Sequence, residues 1–244
     1  MAAQSELVRI IETYARTASA DDLDRSLAEN AVELLCLSSM AVARTHLETW
    51  YSPKSPLSIR QIAALAIGRH GQPNDFDWLL TGMDSVGLER ACIEAMGKLG
   101  SPEAVPILDR ILRETDCHQS HGETAATSLG ELNLPGAVSS LAWAIRNHPT
   151  ASVREEVARR LRAFVDPLAI ESLISAWMND DEEDVSRRAG RSLQPHIHRI
   201  DLDVLRDALH IDRFRVSRTA VSMLKDIETP EAAKVLSEWS NRQV

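Results

Sequence analysis

The amino-acid sequence predicts an all-α fold, an α-α superhelix or α-solenoid of about seven stacked helical hairpins, and three observations carry that expectation. Ala, Leu, Glu and Arg, all good helix formers, are abundant, whereas aromatic residues make up 4% and glycines number ten, which is lean for a β-sandwich or barrel. A leucine recurs at Leu47, Leu79, Leu108, Leu141, Leu173, Leu205 and Leu236, at intervals of 32, 29, 33, 32, 32 and 31 residues. A proline recurs in phase with it, as Pro73, Pro102, Pro135, Pro167 and Pro230. The 244 residues therefore read as one repeat array, with an N-terminal capping helix over 5–20 and repeats over 22–241.

The elements follow in order from the spacing of apolar residues. Leu7, Ile10, Ile11 and Tyr14 form an amphipathic stripe on a helix near Ser5 to Thr17, which suits the cap that closes a stack of repeats. Each hairpin then has a first helix marked by three columns. One holds Leu35, Ile67, Met96, Leu129, Leu161, Leu193 and Leu224, each 12 residues before the recurring leucine. Eight residues earlier stand Leu27, Ile59, Leu88, His121, Val153, Val185 and Val216, with only His121 breaking the apolar pattern. Between them lie Ala31, Ala63, Cys92, Ala125, Val157, Ala189 and Ala220. Steps of four and eight keep these positions on one helix face, and a compact middle residue lets the next hairpin approach closely.

The prolines open the second helices, where the missing N–H costs nothing. Ser101 and Thr229 precede two of them in N-cap position. Gly68 to Gly71 and Gly97 to Gly100, with Gly130 in the same phase, are expected to stop first helices. Tyr51 to Ser58, with Pro53 and Pro56, is the most linker-like stretch, too short to divide domains.

Composition also bounds function. A formal net charge of −9 argues against nucleic-acid binding, whose affinity comes mainly from Lys and Arg on phosphates. Cys36, Cys92 and Cys117 show no CxxC spacing, so neither a disulfide framework nor a thiolate zinc site is expected, and a reducing cytosol is the simplest home. The opening residues lack a basic region followed by an apolar run, and no eighteen apolar residues run together, so the chain reads as cytoplasmic without a membrane span. No GxSxG, GxxxxGK[ST] or GxGxxG occurs, which removes the enzyme classes most readily seen in sequence.

Three segments resemble one another and a known repeat family: LERACIEAMGKLGSPEAVPILDRIL (Leu88 to Leu112), SVREEVARRLRAFVDPLAIESLISAW (Ser152 to Trp177) and VSRTAVSMLKDIETPEAAKVLSEW (Val216 to Trp239). They look like HEAT repeats of the phycobilisome-lyase type, and the resemblance extends over roughly Leu27 to Trp239. It is specific for fold and not for function, because such repeats serve many unrelated partners. The resemblance implies that Arg60, Arg154 and, less well aligned, Arg90, Arg187 and Arg218 form one side of an inter-repeat polar ladder, with an aspartate such as Asp84, Asp184 or Asp212 opposite. It also implies, as an alternative function, a bilin lyase or chromophore-handling subunit.

Chemistry could reside in several places. Asp116 to Glu123 brings Cys117, His118, His121 and Glu123 close together, ligand types that zinc or iron accepts, so His118, His121 and Glu123 are weak metal candidates against a polar inter-hairpin loop. HGETAATSLGEL is similar to a helix opening of deoxyhypusine hydroxylase, a HEAT-repeat di-iron enzyme built on His-Glu dipeptides, but this sequence contains no His-Glu dipeptide. No cofactor is therefore expected. His196 and His198 flank Ile197 without a third ligand nearby and read as loop histidines. Trp50, Trp78, Trp143, Trp177 and Trp239 lie at or near second helices; the Trp177 and Asp181 pair resembles that of HEAT-like alkylpurine DNA glycosylases, a reading the negative net charge opposes. The run Asp180 to Asp184 lacks the alternate-ligand spacing of a calcium loop and reads as solvation at a helix start.

The most informative functional feature is a charge pattern on the first helices. Positions pointing away from the packed face hold Gln61, Leu65, Gly68, Glu94, Gly97, Thr127 and Gly130 early in the chain but Arg159, Arg162, Arg187, Arg191, Arg218 and Lys225 late, with Arg188 beside them. Arginine forks suit carboxylate or phosphate. The expectation is a protein-binding scaffold or adaptor that holds an acidic segment of another protein on these residues, unless neighbouring acids such as Glu155 and Glu156 neutralise them.

Overall fold

The structure is a computed structural model that describes residues 2–17, 22–114 and 119–241. The regular elements among the described residues are helices: α1 (Ala2–Thr17), α2 (Asp22–Ser38), α3 (Met40–Tyr51), α4 (Leu57–His70), α5 (Phe76–Gly82), α6 (Glu89–Leu99), α7 (Ala104–Arg113), α8 (Gln119–Leu132), α9 (Pro135–Asn147), α10 (Ala151–Leu161), α11 (Pro167–Asn179), α12 (Glu183–Ser192), α13 (Leu202–His210), α14 (Phe214–Ile227) and α15 (Pro230–Asn241). Short 3-10 turns stand at Pro73–Asp75 and Gln194–Arg199. After α1 the helices alternate as first and second members of seven hairpins, the all-α solenoid that the periodicity predicts.

The chain forms two compact units, Met1–Leu108 and Asp109–Val244. In the first unit α1 packs on α2, and the first helices α2, α4 and α6 stack in order. The second unit stacks α8, α10, α12 and α14 in the same way, with α9 against α11 and α13 against α15 forming the layer of second helices.

The repeated columns are the core. Leu47, Leu79, Leu108, Leu141, Leu173 and Leu205 are buried, as is every member of the Leu35 column and of the Ala31 column. Burial of this apolar surface, at about 25 cal/mol per Å², is what ties each hairpin to its neighbours. Leu27 departs from the pattern: it is 52% exposed, and α2 instead buries Ala28, Ala31, Val32, Leu35 and Cys36. Only the opening column position of this repeat is exposed: Ala31 and Leu35 keep their places in the core, and the outer neighbour of α2 is α1, with Ile11 and Tyr14 buried, rather than another repeat.

Proline sets the phase of helix entry as expected: Pro135, Pro167 and Pro230 are the first residues of α9, α11 and α15. Thr229 caps α15 by accepting from the Ala232 amide at 3.3 Å, and Asp166 caps α11 through the Leu168 amide at 2.8 Å. Ser101 differs. It is buried in a turn whose backbone carbonyl accepts from Ala104, and α7 begins only there.

Glycine plays a part that the sequence reading misassigned. Gly71 and Gly100 do end α4 and α6, Gly100 with φ of 76°. Gly68, Gly97 and Gly130, expected as stops, lie inside helices. A Cβ on Gly68 would sit 2.6 Å from Ala95 Cα, and one on Gly130 would sit 2.8 Å from Arg160 Cβ. Gly68 thus lets α4 approach the backbone of α6, and Gly130 makes room on α8 for the Arg160 side chain of α10. Gly68→Ala should therefore push α4 off α6 and cost about 1–3 kcal/mol. Gly100→Asn should cost little, since space there is open and Asn tolerates the left-handed region. Urea unfolding of the full chain separates the two; equal midpoints would contradict the close-approach account.

Candidate functional site

The late first helices gather the arginines, and their partners decide which cations remain available. At the start of α10, Arg154 makes a bidentate pair with Asp180, Nε to Oδ2 at 2.8 Å and Nη2 to Oδ1 at 2.9 Å, with both side chains nearly buried. Its remaining Nη1 donates to the carbonyls of His148 and Pro149 at 2.8 and 3.0 Å. Asp180 Oδ1 also accepts from the Glu182 amide, and Arg213 donates to the Asp180 and Met178 carbonyls at 2.6 and 3.2 Å. This pair is one rung of the inter-repeat ladder that the resemblance implied, whereas Arg60 meets the Ser85 hydroxyl and Arg187 an acid of its own helix. The carboxylate of the rung is Asp180 rather than Asp184, so the first acid of the run is a buried structural partner and not solvation.

Acids satisfy part of the predicted ridge. Arg159 and Arg160 both bind Glu156, at 3.1 and 2.6 Å, and Glu156 also accepts from Thr127. Arg188 reaches Glu155 at 3.0 Å. Arg187 pairs with Asp184 three residues earlier on the same helix at 2.6 Å, and that hydrogen bond holds Asp184 below the usual carboxylate range. Arg215, outside the predicted set, meets Glu183.

Four cations of the set, Arg162, Arg191, Arg218 and Lys225, are exposed and pair with no carboxylate among the described residues. Arg162 ends α10, and its Nη1 donates to the Arg191 carbonyl at 3.2 Å. His196 fixes the same corner from behind, its ring Nε2 donating to the Arg162 carbonyl at 3.0 Å. Gln194 Nε2 donates to Asp226 Oδ2 at 2.7 Å, joining the end of α12 to the end of α14 beside Lys225. Cations in the last turns of α10, α12 and α14 complement the negative ends of the helix dipoles, which favours this placement even without a partner. Arg218 lines a groove of about 640 Å³ with Phe214, Val221, Leu209 and Trp239, and Phe214 is 74% exposed.

Other candidate residues are dispersed. His118 and Cys117 lie outside the described residues. His121 and Glu123 belong to the first turns of α8 rather than to a loop, and the described residues contain no group of three or more potential metal ligands. His196 is buried and His198 exposed on the 3-10 turn, so the two imidazoles do not share a side. Trp177 is 1% exposed and Asp181 falls beyond the end of α11, an arrangement in which the indole cannot stack on a base. The other tryptophans lie on second helices, Trp143 beneath the Arg113 guanidinium at 4.3 Å and Trp50 stacked on His46 at 5.3 Å. No described helix is long and apolar enough to cross a membrane.

Comparison with known proteins agrees on the repeat type. A family model described as HEAT repeats matches residues 112–194, and one described as PBS lyase HEAT-like repeat matches residues 88–114. No curated protein matches significantly. Among solved structures, the complex of CpcE and CpcF of phycocyanin lyase from Nostoc sp. PCC7120 is similar at 17% identity and a TM-score of 0.45, over 95% of this chain and 92% of that one. Human deoxyhypusine hydroxylase in complex with glycerol is similar at 15% identity and a TM-score of 0.37, over 92% of this chain and 96% of that one. Likenesses at this level carry nothing about activity. The family models speak to the repeat type alone: residues 88–194 match HEAT-type repeats, with the phycobilisome-lyase type at 88–114.

Proposed function

We propose that this chain is a protein-binding scaffold that holds an acidic segment of a partner on the first helices of its second unit. The observation that carries the reading is the division among the arginines: Arg159, Arg187 and Arg188 are engaged by acids, whereas Arg162, Arg191, Arg218 and Lys225 are exposed without one. A stacked-helix surface is preformed, so a docking segment loses ordering entropy only on its own side. Guanidinium forks match carboxylates in pairs.

Charge reversal is best made where no internal ion pair is broken. The variant Arg162→Glu, Arg191→Glu, Lys225→Glu should keep the native helical content and lose a captured partner, or bind it about tenfold or more weakly, with affinity of the wild type falling as salt rises. Affinity capture followed by mass spectrometry, then titration of the purified partner, measures this; a partner bound equally by both proteins overturns the site. A second reading, a bilin lyase or chromophore-handling subunit, is favoured by the repeat type at 88–114. It requires a shift in visible absorption when a linear tetrapyrrole is added.

A further inference from the structure

The first unit contains a cleft of about 300 Å³ between the α3–α4 connection and α5, at the low end of the sizes that hold small ligands. Its walls are Tyr51, Pro53 and Trp78, with Glu48 on the lining, and its polar end is Arg60 beside Ser85. Arg60 occupies the same repeat position as Arg154: each follows the buried column residue, Ile59 or Val153, at the start of a first helix. The environments then diverge. Arg154 meets a carboxylate from the next repeat, whereas Arg60 Nη2 meets the Ser85 hydroxyl at 3.0 Å and Nε the Tyr51 carbonyl at 3.3 Å. Asp84, the carboxylate one residue away, is exposed and makes no ion pair among the described residues.

A guanidinium that elsewhere in the same chain grips a carboxylate here faces a cleft instead. Nη1 and the second Nη2 proton are left as a fork, the geometry that takes a carboxylate with two parallel hydrogen bonds. The aromatic wall beside it is fixed in advance. Tyr51 donates its hydroxyl proton to the Trp78 carbonyl at 2.8 Å, and with that proton committed the 3.3 Å contact to Cys92 Sγ is donated by the thiol. Burial pushes the Tyr51 hydroxyl up and the Cys92 thiol up to about 11, so both stay protonated. Gly82 closes the packing, since a Cβ there would fall 1.9 Å from the Tyr51 oxygen. Arg44 lies 5.2 Å from the Trp78 ring centroid, and its guanidinium binds Asp75 at 2.5 and 3.1 Å with Glu48 at 4.0 Å. The acid on the lining is therefore partly balanced, and Arg60, the cation on that lining, pairs with no acid among the described residues.

We propose that this cleft binds a small organic carboxylate with a flat apolar body, its carboxylate on the Arg60 fork and Ser85 hydroxyl and its body against Trp78 and Pro53. The site belongs to the first unit, and the cationic residues of α10, α12 and α14 belong to the second.

The test uses the full chain and two probes of one shape, 3-phenylpropionate and 3-phenylpropionamide, followed by saturation-transfer NMR and calorimetric titration. The acid should bind at least about tenfold more tightly than the amide, the difference expected when a charged hydrogen-bonded pair is exchanged for a neutral one. Arg60→Met should abolish that preference and leave the amide's weak binding, and Arg60→Lys should restore it in part. Thr81→Phe, placed on the cleft wall and away from the Arg60 hydrogen bonds, should block both probes. Equal binding of acid and amide, a preference that survives Arg60→Met, or no binding of the acid at millimolar concentration would each overturn the proposal. Should Arg60→Met fail to fold, wild-type preference and its loss in Thr81→Phe decide the matter.

Discussion

Arg154→Ala should destabilise the second unit by about 3–5 kcal/mol, because it leaves the carboxylate of Asp180 buried and without its counter-charge. Only 7% of the Asp180 side chain is exposed, so water cannot take the place of the guanidinium. The loss also spreads. Arg154 holds the His148 and Pro149 carbonyls, and Asp180 receives Arg213 on its backbone, so one pair fixes the loops that enter α10, α12 and α14. Asp180→Asn, which keeps an acceptor for one guanidinium N–H, should cost less than Asp180→Ala. The double replacement Arg154→Met, Asp180→Leu should recover most of the loss, since a desolvated ion pair exchanged for apolar groups is often neutral. Native-state hydrogen exchange on α10 to α14 amides reads this unit specifically. A change below about 1 kcal/mol in Arg154→Ala would mean that the pair is as weak as a surface one.

The ladder also marks where sequence stops being informative. Arginine at the start of α10 stands in phase with the repeat and is legible as a ladder residue, because phase is a property of the chain. Its partner is not: five consecutive acids from Asp180 to Asp184 are chemically alike in sequence, and only the turn after α11, which aims the first of them inward, separates a buried partner from solvated neighbours. Core columns were readable for the same reason as the arginine, with buried Ile59, Leu88, Val153, Val185 and Val216 recurring at helical spacing. Leu27 escaped because the outer neighbour of α2, the helix α1, is not a repeat and leaves no phase signal. Gly68 and Gly130 carried a signal that was available, a glycine one residue beyond a buried column position, where the next first helix comes too close for a Cβ. The cleft at Arg60 was not visible in sequence, because Asp84 stands where a partner acid is expected and only the structure puts the Ser85 hydroxyl on the guanidinium instead. As for the cationic edge, sequence locates charges but not their pairing, and pairing depends on which acid of an adjacent helix lies within about 4 Å.

Trp177 is expected to show the second large effect, and its sign changes with the replacement chosen. The indole is 1% exposed, so Trp177→Ala removes one of the largest buried side chains and should cost about 3–5 kcal/mol through lost burial and the cavity left behind. Trp177 Nε1 is buried and donates to no acceptor among the described residues, which costs about 1–3 kcal/mol in the native state. Trp177→Phe discards that orphan donor along with part of the ring, so it should be far milder than its loss of volume alone implies. The indole also presses on Gly190, where a Cβ would stand 2.9 Å from Trp177 Cδ1 and 3.2 Å from Nε1. Gly190→Ala should consequently destabilise by about 1–3 kcal/mol by overpacking α12 on α11. In the Trp177→Phe background the same substitution meets a smaller ring, and its cost should fall by more than half. Additive costs in this double-mutant cycle, followed by hydrogen exchange of α11 and α12 amides, would show that Gly190 is small for a reason other than the indole.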